Sequence, residues 1–243
     1  MSRASPPIAD HPLDRPLWNA LTTRLAARSL GDARAVRIDP SIGVFLAAAD
    51  DGADSRAALT ALAIRYPGSG LVELEGGAMV DVLPDLPVAS RNPCVQMVAT
   101  SLTAGTRQGL DIEPLSEADA PEMLALATLT RPGPFRERTH QLGGFIGVRR
   151  EGRLVAMAGQ RLRVEGFTEL SGVCVHPDFR GQGLAGALSR VVVARILETG
   201  EHAFLHAYAG HEATIRLYRS LGFAIRARVI YTVMADPDQE PRT

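Results

Sequence analysis

Two hydrophobic periods alternate along this chain, and their order predicts a protein of mixed helices and strands. Residues 16–30 place Leu17, Trp18, Leu21 and Leu25 on one helical face, the spacing of a helix that packs on a core. Residues 35–38 and 44–48 read as short apolar strands, 55–66 as a helix, and 71–74 and 94–99 as strands. This is an α+β domain over residues 1–105. The polar, glycine-containing segment 100–109 reads as a linker, and a second domain is expected over 110–236. There 112–115 reads as a strand, Ser116 and Asp119 have the spacing of a capping box, and 121–129 follows as a helix. The segment from Arg131 to Phe135 has to be a loop, because Pro132, Gly133 and Pro134 admit no regular structure. Residues 145–148 and 154–164 then predict a hairpin that leads into a third strand.

The segment 169–185 carries the strongest chemical signal. Leu170 to Val175 is short and rich in β-formers, and Pro177 cannot continue a central strand. Gly181 and Gly183 let the main chain turn sharply and approach a ligand closely. Behind them Leu184, Leu188, Val191, Val192, Arg195 and Ile196 recur at three- and four-residue spacing, so a helix begins at the turn with its unpaired N–H groups aimed outward. Those groups and the helix dipole suit an anion such as phosphate. A tight strand-to-helix connection in any α/β protein would read the same way. The turn has neither a Gly-Lys-Ser/Thr ending nor the G-x-G-x-x-G spacing. Residues 204–208 form another apolar strand, after which Ile215, Leu217, Tyr218 and Leu221 put an apolar stripe with one phenol on a helix that Gly222 ends.

In these two segments the chain resembles the GNAT superfamily of N-acetyltransferases. The family's acyl-CoA motif, Arg/Gln-x-x-Gly-x-Gly/Ala, is matched by Arg180, Gly183 and Ala185. Its later motif, Asn-x-x-Ala-x-x-Leu-Tyr-x-x-x-Gly-Phe, is matched through Leu217, Tyr218, Gly222 and Phe223, with His211 in place of Asn and Thr214 in place of Ala. The likeness covers about residues 110–235. It implies a GNAT fold: a mixed, twisted sheet with splayed central strands and flanking helices, in the order β-α-loop-α-β-β-β-α-β-α-β. The N-terminal half resembles a GNAT-like domain that lacks a cofactor turn. A purely structural or dimer-forming domain fits that half equally, so a homodimer is among the expectations.

The resemblance also implies a site. Val173, Cys174 and Val175 are assigned to the pantetheine chain and the thioester, with a backbone N–H of this strand polarising the carbonyl. The pyrophosphate is assigned to the backbone N–H groups of Arg180, Gly181, Gln182, Gly183, Leu184 and Ala185, to which the Arg180 guanidinium adds a charge-assisted contact. His211, at the Asn position, can donate one hydrogen bond to the cofactor arm or take a proton-transfer role. Glu169, eleven positions before Arg180, has the offset of a general-base glutamate in this superfamily. Burial at the mouth of an apolar strand would raise its pKa; the alternatives are an exposed strand-edge residue or a partner for an Arg such as Arg161. Tyr218 stands at the general-acid position, and a phenol is well matched to a leaving thiolate.

The implied activity is acetyl-CoA-dependent transfer of an acetyl group to a primary amine by direct attack in a ternary complex, because no Cys or Ser is placed for a covalent intermediate. The alternative is a non-catalytic acyl-CoA-binding regulatory module. The acceptor is a small-molecule or peptide amine. The loop residues Arg131, Phe135, Arg136 and Arg138 would suit one that bears a carboxylate, although a solvated charged loop reads alike.

Composition narrows the setting. A chain of 243 residues that is 46% hydrophobic can bury a sizeable core. A net charge of −1 with interspersed signs gives no basic stripe for nucleic acid. No apolar run reaches a membrane span and the first residues carry no apolar signal core, so a soluble, cytoplasmic protein without a membrane partner is expected. All 26 basic side chains are Arg, which reads as the codon usage of a GC-rich bacterial genome and leaves no lysine amine to acetylate. The 6 histidines lack metal-ligand spacing, so no metal is expected. Cys94 and Cys174 read as buried free thiols.

Overall fold

The computed structural model describes residues 11–76, 86–105 and 109–236, so the Pro-rich start and residues 106–108 of the expected linker lie outside the described residues. The N-terminal half comprises helix α1 (Pro16–Thr22), strands β1 (Ser29–Gly31), β2 (Ala35–Ile38) and β3 (Leu46–Ala48), helix α2 (Ala53–Arg65), and strands β4 (Gly70–Leu74) and β5 (Val88–Ala99). The C-terminal half continues with β6 (Glu113–Pro114), α3 (Ala120–Thr130), the hairpin β7 (Ile146–Arg150) and β8 (Arg153–Val164), β9 (Phe167–Val175), α4 (Leu184–Glu198), β10 (His202–Tyr208), α5 (Glu212–Ser220) and β11 (Ala224–Met234). The expected mixed α/β class holds. Among the described residues no helix is long and apolar enough to cross a membrane.

Three elements differ from expectation, each for a local reason. The helix predicted over 16–30 ends at Thr22. There the Thr22 hydroxyl bonds to the Trp18 carbonyl at 2.7 Å and the Thr23 hydroxyl bonds to that of Asn19, while Leu25 N–H reaches back to Ala20 at 2.8 Å and stays buried. The second helix of the family order shrinks to a single 3-10 turn, Thr139–Leu142, stopped by Gly143 and Gly144. Strand β5 extends back through Pro93. The Pro93 carbonyl accepts from Ala209 N–H at 2.9 Å just beyond the end of β10, so its missing N–H faces the place where that neighbour leaves.

Sheet order was not legible from local pattern. β1, β2 and β3 form a small antiparallel sheet, and a larger one runs β4-β11-β5-β10-β9-β8-β7-β6. β5 lies between β10 and β11, pairing Tyr208↔Cys94 on one side and Val229↔Cys94 on the other. Strands from both sides of the boundary expected at 105–110 share one sheet. Helices α4 and α5 cover one face with Leu188, Val192 and Tyr218, while α1 and α3 cover the other with Leu17, Leu21, Met123 and Leu126.

The site depends on where β9 leaves β10. These parallel strands are in register at His202↔Phe167, Ala203↔Thr168 and Phe204↔Glu169, and pairing then stops. β10 goes on beside β5 as far as Tyr208, whereas β9 stays with β8 through two register shifts, between Met157 and Gly159 and between Gln160 and Arg163. Such bulges bend a strand and increase its twist. At Gly172 the backbone has φ +63°, and an added Cβ would lie 2.7 Å from the Phe145 ring. At Gly159 it would lie 2.5 Å from the same ring. Phe145 therefore fills the room of two missing side chains.

Gly159→Ala should overpack this contact and lower stability by about 1–3 kcal/mol, measured by urea unfolding. In a double-mutant cycle with Phe145→Leu most of that loss should disappear, because the two substitutions share one space.

Candidate active site

Beyond Phe204↔Glu169 the separated strands frame a cleft of about 600 Å³ that crosses the sheet. Val173, Cys174 and Val175 line it from β9, and from Leu170 onward this edge of β9 has no strand partner. Its main-chain groups are therefore free to pair with an extended amide-bearing chain. At one end the 3-10 turn Pro177–Phe179 leads into Gly181 and Gly183, both left-handed with φ +77° and +75°, and Gly183 is the N-cap of α4. Only glycine takes two such positions cheaply. The N–H groups of Gly181 to Gly186 have no hydrogen-bond partner among the described residues, and the first bond of the helix is Ala187 N–H to the Gly183 carbonyl at 3.0 Å. Arg180, Gly181, Gly183, Leu184 and Ala185 line the cleft; the Gln182 side chain is exposed and does not. This donor set fits a pyrophosphate, and the unpaired strand edge fits a pantetheine arm.

Tyr218 lines the cleft from α5 and is 8% exposed, its ring 5.8 Å from that of Phe223. Burial pushes its pKa up to about 12, so the phenol keeps its proton at neutral pH. His211, the N-cap of α5, also lines the cleft, with its ring 5.2 Å from Tyr208. Cys94 and Cys174 are buried thiols whose pKa values burial raises to about 11, which is the opposite of an activated nucleophile.

Glu169 sits in surroundings other than those expected. It is fully buried beneath the cleft, and its carboxylate accepts two bonds from Arg161, Nε at 2.8 Å and Nη2 at 2.7 Å, with a third from Leu162 N–H at 3.3 Å. The β8 bulge makes this possible by setting both Arg161 and Leu162 opposite Glu169. His206 Nδ1 lies 2.8 Å from Oε1, bridging β10 to β9 where they part. Burial works to raise the carboxyl pKa as expected, but the charge and hydrogen bonds of Arg161, with the hydrogen bond of His206, outweigh it and hold the pKa at about 2. A carboxylate held this low is a weak acceptor for an ammonium proton, although Glu169 borders a small pocket beside the cleft together with Arg161, His206 and Tyr218. The alternative partnership with Arg161 is the one observed.

The far end of the cleft is made of residues that the motifs did not indicate. Tyr208, Cys94 and Val229 lie opposite one another across β10, β5 and β11, Tyr231 pairs with Val72 across β11 and β4, and Phe45 and Arg161 complete the wall. Arg161 and His206 had a readable signal, since Arg161 faces Glu169 around the Glu165–Gly166 hairpin turn and His206 alternates with Phe204. Phe45, Val72 and Tyr231 had none. Of the loop residues, Arg131 lines the cleft, whereas Arg138 is tied to Ser41 by its N–H at 2.8 Å and Phe135 stacks edge-on against Phe145 at 5.7 Å.

Residues 145–232 match the FR47-like protein family model. No curated protein sequence matches the chain. A solved structure from Novosphingobium aromaticivorans, assigned to the GNAT family of acetyltransferases, is 39% identical with a TM-score of 0.81, covering 93% of this chain and 99% of its own. The GCN5-related N-acetyltransferase of Kribbella flavida superposes with a TM-score of 0.67 at 21% identity over 93% of this chain and 96% of its own. That of Sphaerobacter thermophilus gives 0.57 at 14% over 94% and 93%; these two share the fold. With a cofactor turn, a split β9–β10 pair and a buried phenol in one cleft, and 39% identity along almost the whole chain to a relative of that assignment, the chain belongs to the GNAT family of acetyltransferases.

Proposed function

We propose that this protein moves an acetyl group from acetyl-CoA to a primary amine by direct attack, with both substrates held in the cleft between β9 and β10. The observation that carries the reading is that the unpaired edge of β9 runs straight into the N-terminus of α4, so one continuous surface offers strand-like pairing and then a cluster of free N–H groups. Acetyl-CoA supplies the activated acetyl thioester. The turn from Arg180 to Ala185 holds the pyrophosphate, with Arg180 adding charge, and Val173 to Val175 align the arm. His211 borders that arm and offers it a single donor.

A new C–N bond forms as the amine attacks the carbonyl carbon, and the C–S bond breaks. A β9 backbone N–H stabilises charge on the carbonyl oxygen, and Tyr218 gives its proton to the departing sulfur. A phenol with a pKa near 12 remains protonated until the thiolate needs it. Glu169 serves as a positioning residue that fixes Arg161 and His206 where the strands part. The high thiol pKa values of Cys94 and Cys174 support attack without a covalent enzyme intermediate.

Three outcomes are expected. Gly183→Val, which forces a branched side chain to φ +75°, should abolish acetyl-CoA binding in calorimetry while far-UV circular dichroism is retained; binding at parental strength would refute the pyrophosphate assignment. Tyr218→Phe should lower kcat by about 10²-fold with little change in KM or melting temperature, and full activity would remove the phenol from the chemistry. Because the folded pKa of Glu169 is depressed from 4.5 to about 2, its ionised form stabilises the native state fully above pH 4.5, and that stability is lost as pH falls toward 2. Parent and Glu169→Gln unfolding curves should therefore differ most near neutrality and converge at low pH, whereas a constant difference would mean that the charge is not what matters.

A further inference from the structure

Charge is distributed unevenly around the cleft. Among the described residues that line it, the charged side chains are Arg131, Arg161 and Arg180, and the nearest carboxylate, Glu169, borders a small adjoining pocket and is paired with Arg161 and His206. Arg180 belongs to the cofactor turn, which leaves Arg131 at the loop and Arg161 at the far end. An acceptor with several ammonium groups would meet cations and aromatic rings there, and the one carboxylate nearby is already paired with Arg161 and His206.

Arg161 is set up to bind more than its present partner. Glu169 takes the edge formed by Nε and Nη2, and Nη1 has no hydrogen-bond partner among the described residues. The Arg161 side chain keeps 13% exposure, against 1% for Glu169, and what remains exposed borders the cleft. Its guanidinium lies 4.7 Å over the Phe45 ring, which fixes the plane, and Phe45 in turn packs against Tyr231 at 5.9 Å. Tyr231 is itself seated on Gly70, where a Cβ would come within 2.6 Å of the ring. Glu169 keeps Arg161 charged despite burial, and the Arg161 charge is felt at the Tyr208 and Tyr231 phenols. Glu169 thus leaves Nη1 unbonded, and Arg161 lines the cleft together with two phenols, Tyr208 and Tyr231, and a wall of Val72, Val229 and Phe45.

Resting on the acetyltransferase reading above, we infer that the acceptor is a free α-amino acid with an apolar side chain. Its carboxylate docks on the Nη1 edge of Arg161, its side chain lies against Phe45, Val72 and Tyr231, and its amine faces the thioester. A planar fork in a partly dry pocket recognises a carboxylate bidentately, which a lysine does not. A peptide N-terminus has an apolar side chain next to its amine but no adjacent carboxylate, and a polyamine has neither.

The test uses the full-length protein with acetyl-CoA and a thiol-release assay on phenylalanine, leucine, phenethylamine, phenylalaninamide, spermidine and a peptide that begins with phenylalanine, together with calorimetry of acetyl-CoA binding. Expected are turnover of the two amino acids and a loss in kcat/KM of about 10²-fold or more for phenethylamine and phenylalaninamide. Arg161→Lys should raise KM for phenylalanine by about 10-fold or more with acetyl-CoA affinity unchanged. Should this variant not fold, the comparison of phenylalanine with phenethylamine in the parent protein decides by itself. Equal or better turnover of phenethylamine, spermidine or the peptide would overturn the amino-acid inference and leave acetyl transfer standing, as would acetyl-CoA binding with no turnover of either amino acid. Absence of acetyl-CoA binding would overturn the acetyltransferase reading itself.

Discussion

Strands β9 and β10 pair from His202↔Phe167 to Phe204↔Glu169 and then separate, which leaves main-chain donors and acceptors of β9 unpaired in the middle of a sheet. Unpaired backbone inside a protein is costly unless something else satisfies it. The chain arranges for the opening to exist without losing the sheet: β10 continues against β5, β9 continues against β8, and each strand keeps one intact ladder while their facing edges diverge. The gap is therefore a stable groove, and the α4 N-terminus at its end adds the free N–H groups that suit an anion.

What holds the foot of the opening is polar. Arg161, Glu169 and His206 bind one another across β8, β9 and β10, and the His206 ring then meets the Gln96 amide at 3.2 Å. Gln96 donates to the Leu13 carbonyl at 2.9 Å and accepts from Arg226 Nη1 at 2.9 Å, and Arg226 pairs with Asp14. With Nδ1 of His206 donating to Glu169, Nε2 is left to accept from Gln96, so a neutral ring satisfies every bond in the chain. A buried ion pair adds little net stability over a well-packed apolar one, but breaking it is expensive, so its value here is in fixing geometry. The network spans four neighbouring strands and β11, and it sets where Arg161 meets the cleft.

The N-terminal half takes part in the site. Its strands β4 and β5 enter the large sheet, its Phe45 stacks under Arg161, and its loop at residues 41–42 holds the segment between α3 and β7 through Thr139 Oγ1 to the Ile42 carbonyl at 2.6 Å. One wall of the cleft therefore comes from residues more than sixty positions before the glycine turn at residues 180–185. The end of the cleft at the glycine turn is made from consecutive elements and the far end from distant ones.

Local sequence determined most of the elements and the whole glycine turn ahead of α4. Gly181, Gly183 and the helix behind them could be read directly because a left-handed turn and a helix start depend on neighbouring residues, and Tyr218 followed from its place on an apolar stripe. The same reasoning placed Glu169 on the right strand but gave its pKa shift the wrong sign, because a pKa is set by what the fold brings near: burial alone pushes it up, and Arg161 from the neighbouring strand reverses the sign. The insertion of β5 between β10 and β11 was hidden for a related reason. Hydrophobic alternation says that a segment is a strand and which face it buries, but hydrogen bonding between strands is indifferent to sequence distance, so the partner is chosen only by the packed whole. With that choice came Phe45, Val72 and Tyr231, and so the far wall of the cleft was decided by tertiary structure alone.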